Sequence, residues 1–529
     1  MSFPNHGSMN RRGIILLALL TGFLVVSAEE PDSLTYYSPS TFGLMPVLNP
    51  WLNSSNPAGH SFDPAVAPGK MELNYRGEKG PYKRVQQGEE IQQYSLRTER
   101  YKRINKISFY GDFSYDKSYE KGVRYSNIND PYRGTPYLLI DTSGRYDIYD
   151  REFFTLRGDM ALPVFRFLSW GFSADMNAGL SSQDRDPRPR NKVLNLDLSQ
   201  GLLFSTPHVS LGVNALYSYY NEDIEIDIIE KFVHLAFFQL HGMDSYTYHV
   251  ASSFNRLYKR NTYGGEGQLS LNVGGLHSLF GTKFLYINER VFDGRKAGNA
   301  SWSYLKDDSH LEGNELEIFN ATSFSHGPML HSLSARYRMR HMVGAEILQR
   351  LEQVGEAGAV DWVDYGQEEK YASRIYDLGI AYSFLILERG FARNLQLDLG
   401  VDYLGSEQAY YLPDMDESYQ NRIFSAAVRK SFFMGRHEIG LGTGMKLKQN
   451  LNASQTFDES GLISGILLLP DFEYLTSDYR APWLEASYAV SMKRLFDKYF
   501  IRTNIAFYRG SNDMDRTIFN FSTGVIFKN

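Results

Sequence analysis

Apolar and polar residues alternate one by one over much of this chain, most clearly between Tyr371 and Leu404. Apolar side chains occupy every second position from Tyr376 to Phe384 and again from Leu395 to Tyr403, with polar or small residues between them. Side chains of a β-strand point alternately to its two faces. The pattern therefore predicts two strands, each with one apolar and one polar face, joined by a tight turn.

The same strand–turn–strand pattern recurs from about Asn105 to the C-terminus, and long polar connections alternate with the tight turns. No other segment remains to cover the apolar faces, so we expect them to face lipid. This predicts an all-β fold, a transmembrane antiparallel β-barrel whose short turns are periplasmic. The tight turns are predicted at Pro163–Arg166, Ser205–Pro207, Gly274–Gly275, His326–Gly327, Glu388–Gly390, Met434–Gly435 and Leu495–Lys498.

These hairpins, with one strand before the first and one after the last, give about 16 strands, an even number as expected for such barrels. One further hairpin within Phe232–Arg260 would give about 18 strands, and a misread strand such as Asn314–Phe324 would leave about 14. The last strand, Thr517–Phe527, alternates and ends on an aromatic residue. It resembles the C-terminal insertion signal of outer-membrane barrels, although Lys528 and Asn529 follow it.

The N-terminus predicts export. Arg11 and Arg12 precede an apolar run from Gly13 to Val26, and small residues at Ser27 and Ala28 offer a cleavage site. This arrangement is typical of a secretory signal peptide, which we place at residues 1–28. The chain has no cysteine, which excludes a lipid-anchored lipoprotein and any disulfide. Together with the strand pattern, this predicts the outer membrane of a Gram-negative cell.

Residues 29–103 interrupt the barrel pattern, because Pro31, Pro39, Pro46, Pro50, Pro57, Pro64 and Pro68 punctuate them. We interpret this region as an N-terminal segment that is either periplasmic or fills the lumen like a plug. The predicted division is therefore a signal peptide at 1–28, an N-terminal segment at 29–103 and the barrel at 104–529.

Composition excludes several other classes. The net charge is only -6 and no basic run stands out, so we expect no nucleic-acid partner. Beyond the N-terminus no apolar run of about 18 residues predicts a membrane helix. The 12 histidines show no spacing that indicates a nucleophile or a metal site. We predict no enzymatic activity, cofactor or metal.

The polar strand faces predict the lining of the lumen. Arg336, Arg338 and Arg340 alternate on one strand, which would place neighbouring guanidinium groups about 7 Å apart. They could form a ladder that attracts anions. Alternatively they pair with acids on neighbouring strands, and the even mixture of charges favours this interpretation. The other predicted lumen-lining residues are Asp377, Asp398, Asp402, Glu438, Lys446 and Lys448.

In its overall plan the chain resembles bacteroidete-type outer-membrane β-barrels, many of them in families of unknown function. It is also similar, more weakly, to fatty-acid-transporter (FadL-like) barrels, on the residues Asn56-Pro57-Ala58-Gly59. That resemblance implies an N-terminal hatch with an Asn-Pro-Ala element and a barrel of fewer strands than counted here. A plain Asn-Pro turn explains the same residues.

Two functions remain open. The first is a channel or transporter for a small solute, polar if the lumen is open and apolar if the N-terminal segment is a hatch. The second is a closed scaffold that binds partner proteins, as part of a secretion or nutrient-uptake complex, through long external loops. Outer-membrane lipid is the expected surrounding in both cases. We favour transport, and the sequence does not identify the solute.

Overall fold

A computed structural model describes residues 39–63, 69–141, 147–229, 235–251, 253–294, 305–353, 360–388, 392–412, 414–492 and 496–527. The predicted signal peptide lies outside these described residues, as does the tight turn at residues 389–391. No helix among the described residues is long and apolar enough to cross a membrane.

Eighteen of the described strands form one closed antiparallel sheet. Each barrel strand pairs with its neighbours along the chain, and β1 pairs with both β2 and β21, which closes the ring. The barrel strands are β1 Gly69–Lys79, β2 Glu90–Ile104, β3 Ile107–Val123, β5 Asp147–Phe165, β6 Leu168–Gln183, β7 Arg190–Ser205, β8 Val209–Asp227, β11 Ser253–Val273, β12 Leu276–Gly294, β13 Leu305–His326, β14 Met329–Gln353, β15 Val360–Glu388, β16 Ala392–Tyr411, β17 Asp414–Met434, β18 His437–Gln455, β19 Tyr479–Ser491, β20 Lys498–Gly510 and β21 Asp515–Phe527.

The sequence-based count of about 16 strands is wrong by two, because β1 and β2 belong to the barrel sheet. The barrel therefore begins at Gly69 and not at residue 104, and the predicted N-terminal segment 29–103 is divided. On the outward face of β2, Arg100 and Lys102 separate Tyr94 and Leu96 from Ile104, so the apolar stretch is too short to stand out in the sequence. The described residues between 235 and 251 add no hairpin to the barrel, because their strands pair in a separate sheet.

The outer face of the barrel is apolar. Leu73, Leu156 and Leu399, on three separate strands, are 54%, 54% and 58% exposed. At the short-turn end Phe165, Phe167 and Phe204 cluster, with ring centroids 5.8 and 5.3 Å apart. An apolar band bounded by aromatic rings is the lipid-facing surface of an outer-membrane barrel. The protein is therefore an outer-membrane β-barrel.

The long connections on the other side fold into a cap. β4 (Leu139–Asp141), β9 (Leu235–Gly242) and β10 (Ser245–Ala251) form a separate antiparallel sheet. Helix α1 spans Pro39–Leu48 in the N-terminal segment. In the cap, a π-helical turn at Ser464–Leu468 continues into helix α2, Leu469–Thr476. Buried side chains from the cap and the wall, among them Tyr137, Phe237, Tyr258, Tyr410 and Phe457, share one apolar core.

Buried polar contacts fix the cap to the wall. The guanidinium of Arg256 is fully buried and donates from Nε to Asp293 at 2.6 Å. Its Nη1 also donates to the carbonyl oxygens of Tyr137 and Leu138, at 3.2 and 3.1 Å. Since a buried charge is costly unless paired, this arrangement ties the connection before β4 to strands β11 and β12.

Candidate functional site in the lumen

The lumen segment, residues 39–63, lies inside the barrel at the short-turn end. Helix α1 spans Pro39–Leu48, and 3-10 helices span Pro50–Asn53 and Pro57–Phe62. Asn49 and Asn56 begin the two short helices, each accepting a hydrogen bond from the backbone N–H two residues ahead. A proline follows each asparagine at the first helical position, where its missing N–H costs nothing.

Asn56 is also the polar anchor of the segment on the wall. Its Nδ2 donates to Oε1 of Gln268 on β11 at 3.0 Å and to the carbonyl oxygen of Leu202 on β7 at 3.2 Å. The neighbouring Ser55 N–H donates to Glu266 at 3.0 Å. A single asparagine side chain thus forms hydrogen bonds both to the start of its own helix and to two strands of the wall.

Inner-wall glycines leave room for this element. A Cβ atom at Gly171 would lie 2.2 Å from the backbone nitrogen of Ala58, and one at Gly201 would lie 2.0 Å from Oδ1 of Asn56. At Gly212 it would lie 2.7 Å from the ring of Trp51. These three glycines, on β6, β7 and β8, form a glycine cradle that only a residue without Cβ can supply.

A buried charge cluster holds the end of the segment. His60 contacts Asp63 through Nδ1 at 2.6 Å and Asp159 on β5 through Nε2 at 2.9 Å. Asp159 also accepts from Arg157, and Arg103 donates to the carbonyl oxygen of Asp63 at 2.8 Å. Burial lowers the pKa of His60, but its hydrogen bonds to Asp159 and Asp63 outweigh this and raise it to about 9.

Helix α1 meets the opposite wall through apolar contacts. Leu44 packs with Leu330 on β14 and Leu385 on β15. Phe42 packs against Phe500 and Ile526, on β20 and β21. The segment therefore contacts opposite parts of the inner wall at the short-turn end, through polar anchors on one side and an apolar helix on the other.

The three predicted lumen arginines lie on the polar face of β14, and each faces an acid on a neighbouring strand. Arg338 contacts Asp377 at 2.6 Å and Arg340 contacts Glu315 at 2.6 Å. Arg336 lies 3.8 Å from Glu317, and its side chain is 62% exposed. Two of the three arginines therefore form close ion pairs in the wall, and Arg336 is the most exposed of the three.

The remaining predicted lumen residues are spread over β16 and β18. Asp398 pairs with Arg429, Glu438 pairs with Lys498 at 3.1 Å, and Lys448 donates to the carbonyl oxygen of Leu475 at 2.6 Å. Asp402 lies opposite Gly379, and Lys446 lies opposite Ser425 and Ala481. The structure does not bring these residues together into one site.

A polar cavity of about 590 Å³ lies in the lumen beside β19–β21 and β1–β5. Asn74, Gln93, Asn504 and Asn520 supply amides to its wall, and serines and a threonine add hydroxyl groups. Its charged residues include Arg97, which contacts Asp112 at 2.5 Å. The cavity offers hydrogen bonds with little excess charge.

Sequence patterns did not single out His60 and Asp159 as partners, because they are 99 residues apart and belong to different elements. The Asn-Pro-Ala-Gly element was predicted to be special, but Gly171, Gly201 and Gly212 on the wall opposite it were not. Small residues on the polar face of adjacent strands mark a place where another backbone approaches closely.

Comparisons with known proteins give a family. A model for a family of unknown function, DUF6850, matches residues 57–527. No curated protein matches the chain by sequence. The match agrees with the expected likeness to an outer-membrane barrel family of unknown function.

Among solved structures, the outer membrane transporter YddB from Escherichia coli superposes with a TM-score of 0.39 at 7% identity, covering 87% of this chain and 81% of that one. The ferric yersiniabactin uptake receptor FyuA from Yersinia pestis gives 0.38 at 8% identity, covering 88% and 80%. A Pseudomonas aeruginosa FadL homologue gives 0.36 at 10% identity, covering 94% and 98%. Similarity this low carries no argument about function.

Proposed function

The chain belongs to the DUF6850 family, whose function is unknown, and we propose that it is a gated passage for a small polar solute across the outer membrane. The observation that supports this is the lumen segment across the periplasmic mouth. Asn56 and His60 anchor one side of it on the wall, and Leu44 and Phe42 close the other side.

The two sides of the lumen segment make different kinds of contact with the wall, so the free energy of moving each side away from the wall has a different origin. Moving Asn56 or His60 away from the wall would leave buried hydrogen-bonding groups without partners, which costs about 1–3 kcal/mol for each group. Moving Phe42 and Leu44 breaks apolar contacts and the cation–π contact of Phe42 with the Lys70 ammonium, which lies 5.2 Å from the ring centroid. We infer that helix α1 is the part of the segment that opens first, while the residues from Asn49 to Asp63 stay docked.

The chemistry of the lumen supports a polar solute. The cavity beside β1 and β21 carries amide and hydroxyl groups, and its acids and arginines are of both signs. An apolar solute would find no continuous apolar surface there, and a strongly charged one would meet both attraction and repulsion. A neutral or zwitterionic solute fits best.

The test is single-channel conductance in a planar bilayer, using the mature chain beside a variant that lacks residues 39–63. We expect rare openings in the mature chain and steady conductance in the variant. Heat-dependent mobility on gels checks that both barrels fold. Silence of a folded deletion variant would reject the passage.

A disulfide supplies a version of the same test without deletion. Cγ of Asn56 lies 2.7 Å from a Cβ built at Gly201, and the chain has no cysteine of its own. In the double variant Asn56→Cys/Gly201→Cys we expect oxidation to fix the docked residues while α1 still opens. Openings should then persist under oxidation. Their loss would mean that the whole segment leaves the lumen.

A closed scaffold is the second candidate, and the packed cap at the external mouth favours it. Arg256, Tyr137 and Asp293 join the cap to the wall in a buried network. Such a barrel would conduct in neither form. Silence of both folded proteins, with capture of a defined partner by the mature chain, would replace the passage with this function.

A further inference from the structure

A second cavity, of about 600 Å³, opens at the external end between the cap sheet and the tips of β12–β15. Its floor includes His241 and Asp308, which are buried. Its mouth includes Trp362 and Tyr365, and Tyr365 is 59% exposed. We call it the external pocket. Its size lies within the range of about 300–1,000 Å³ typical of small-molecule sites.

The floor of the external pocket is polar but balanced in charge. Asp293 is paired with Arg256. Asp308 lies 3.6 Å from Lys306, and Glu346 lies 3.0 Å from Lys370. Each floor carboxylate therefore has a cationic partner and keeps lone pairs that can accept further hydrogen bonds. Such a floor selects hydrogen-bonding groups and not a net charge.

His241 contributes an unfilled hydrogen bond. Its Nε2 lies 3.0 Å from Oγ1 of Thr247, whereas its Nδ1 is buried, lies 3.9 Å from the Asp308 carboxylate and has no hydrogen-bond partner among the described residues. Burial lowers the pKa of His241, which keeps the imidazole neutral near pH 7. A buried nitrogen without a partner is costly, so a ligand hydroxyl that reached it would remove that cost.

The mouth supplies aromatic faces. The Lys306 ammonium lies 5.9 Å from the ring centroid of Trp362, and the Arg350 guanidinium lies 5.4 Å from that of Tyr365. The face of an aromatic ring is electron-rich, so it attracts weakly positive C–H groups as well as cations. A sugar ring presents C–H groups on its faces and hydroxyl groups around its edge.

We propose that the external pocket binds a neutral saccharide, whose ring packs against Trp362 and Tyr365 and whose hydroxyl groups bond to His241, Asp308 and Glu346. Only the role of the external pocket rests on the proposed passage. If the barrel is a passage, a sugar captured here is the solute that the barrel admits. Binding itself does not depend on whether the lumen opens.

The test is isothermal titration of the full mature protein, purified in a detergent without a sugar headgroup. The probes are maltotriose, cellotriose and N,N′-diacetylchitobiose, with zwitterionic triglycine and anionic citrate as comparisons. We expect binding of at least one saccharide and of neither comparison compound. Failure of all three saccharides to bind, or tighter binding of triglycine or citrate, would overturn the assignment.

Single variants locate the site. Trp362→Ala, Tyr365→Ala and His241→Ala should each weaken saccharide binding at least tenfold. Tyr248→Ala is the matched control, because Tyr248 is 64% exposed on the same cap sheet beside Thr247 and does not line the external pocket. Equal affinities in all four variants would overturn the site.

Conductance separates this inference from the proposed function. If the protein binds a saccharide but the folded deletion variant does not conduct, the saccharide site is retained and the passage is rejected. Conductance by the deletion variant, without any saccharide binding, would retain the passage and reject the site.

Discussion

Nε2 of His60 lies 2.9 Å from a carboxylate oxygen of Asp159, and this contact links the lumen segment to β5 by charge. Both side chains are almost fully buried. A protonated His60 can donate from both ring nitrogens at once, to Asp63 and to Asp159. The segment is therefore held most firmly while the imidazole carries its proton.

That link makes docking depend on pH. The pKa of His60 is about 9 when docked and about 6.5 when the side chain is free in water. The stabilisation is complete below the lower value, declines between the two, and is lost above the higher value. We expect channel openings in planar-bilayer recordings to increase as the pH rises from 7 to 10.

His60→Gln is the control for this prediction, since glutamine can hydrogen bond but does not titrate in this range. Its openings should be more frequent at pH 7 and change little up to pH 10. An unchanged pH response in this variant would assign the effect to another group.

The glycine cradle predicts a steric effect. Gly171→Ala places a Cβ 2.2 Å from the backbone of Ala58, so we expect the segment to undock and openings to become at least tenfold more frequent. Gly267→Ala is the matched control, because no atom lies within 4 Å of a Cβ built there. Planar-bilayer recordings of the two variants check this, and equal opening rates would contradict it.

The cap should depend on Arg256. Removing its guanidinium leaves Asp293 buried without that partner, which typically costs about 3–5 kcal/mol. We expect Arg256→Ala to expose the connection before β4 to proteases while the barrel keeps its heat-dependent mobility. The double variant Arg256→Met/Asp293→Leu removes both charges of this ion pair. Much of the protection against proteases should therefore return. Wild-type protection in Arg256→Ala would contradict this role.

Ion selectivity should respond to Arg336 more than to its neighbours. Arg338 and Arg340 each lie 2.6 Å from an acid, whereas the Arg336 side chain is 62% exposed and 3.8 Å from Glu317. In the variant without residues 39–63, we expect Arg336→Gln to shift the reversal potential towards cation preference. Arg338→Gln should shift it less, because the Arg338 side chain is less exposed, at 43% against 62%. The reverse order would contradict this assignment.

Much of the barrel was predictable because its strands obey a local rule. Alternation identified the strands from Ile107 onwards and most of their short turns, and it assigned Arg336, Arg338 and Arg340 to a common face. It missed β1 and β2, whose outward faces carry few apolar residues in a row. The closure of β1 on β21 joins residues more than 400 positions apart, which a local pattern does not register.

The lumen segment was predictable only in part. Prolines and the Asn-Pro-Ala-Gly element indicated a plug-like or periplasmic segment, and the structure gives residues 39–63 contacts with the inner wall. Which strands they meet depends on side chains such as Gln268 and Asp159, whose partners lie far away in the sequence. The cap and the external pocket are likewise assembled from separate connections.

An even number of strands has a consequence for direction. Gly69 pairs with Phe527 at the short-turn rim, so β1 starts and β21 ends on the periplasmic side. Residue 63 of the lumen segment is followed by β1 only a few positions later, so the segment is joined to the sheet at this rim. A force applied from the periplasm therefore acts on helix α1 directly. A ligand from outside the cell acts on helix α1 either by moving down the lumen or by changing the conformation of the barrel wall.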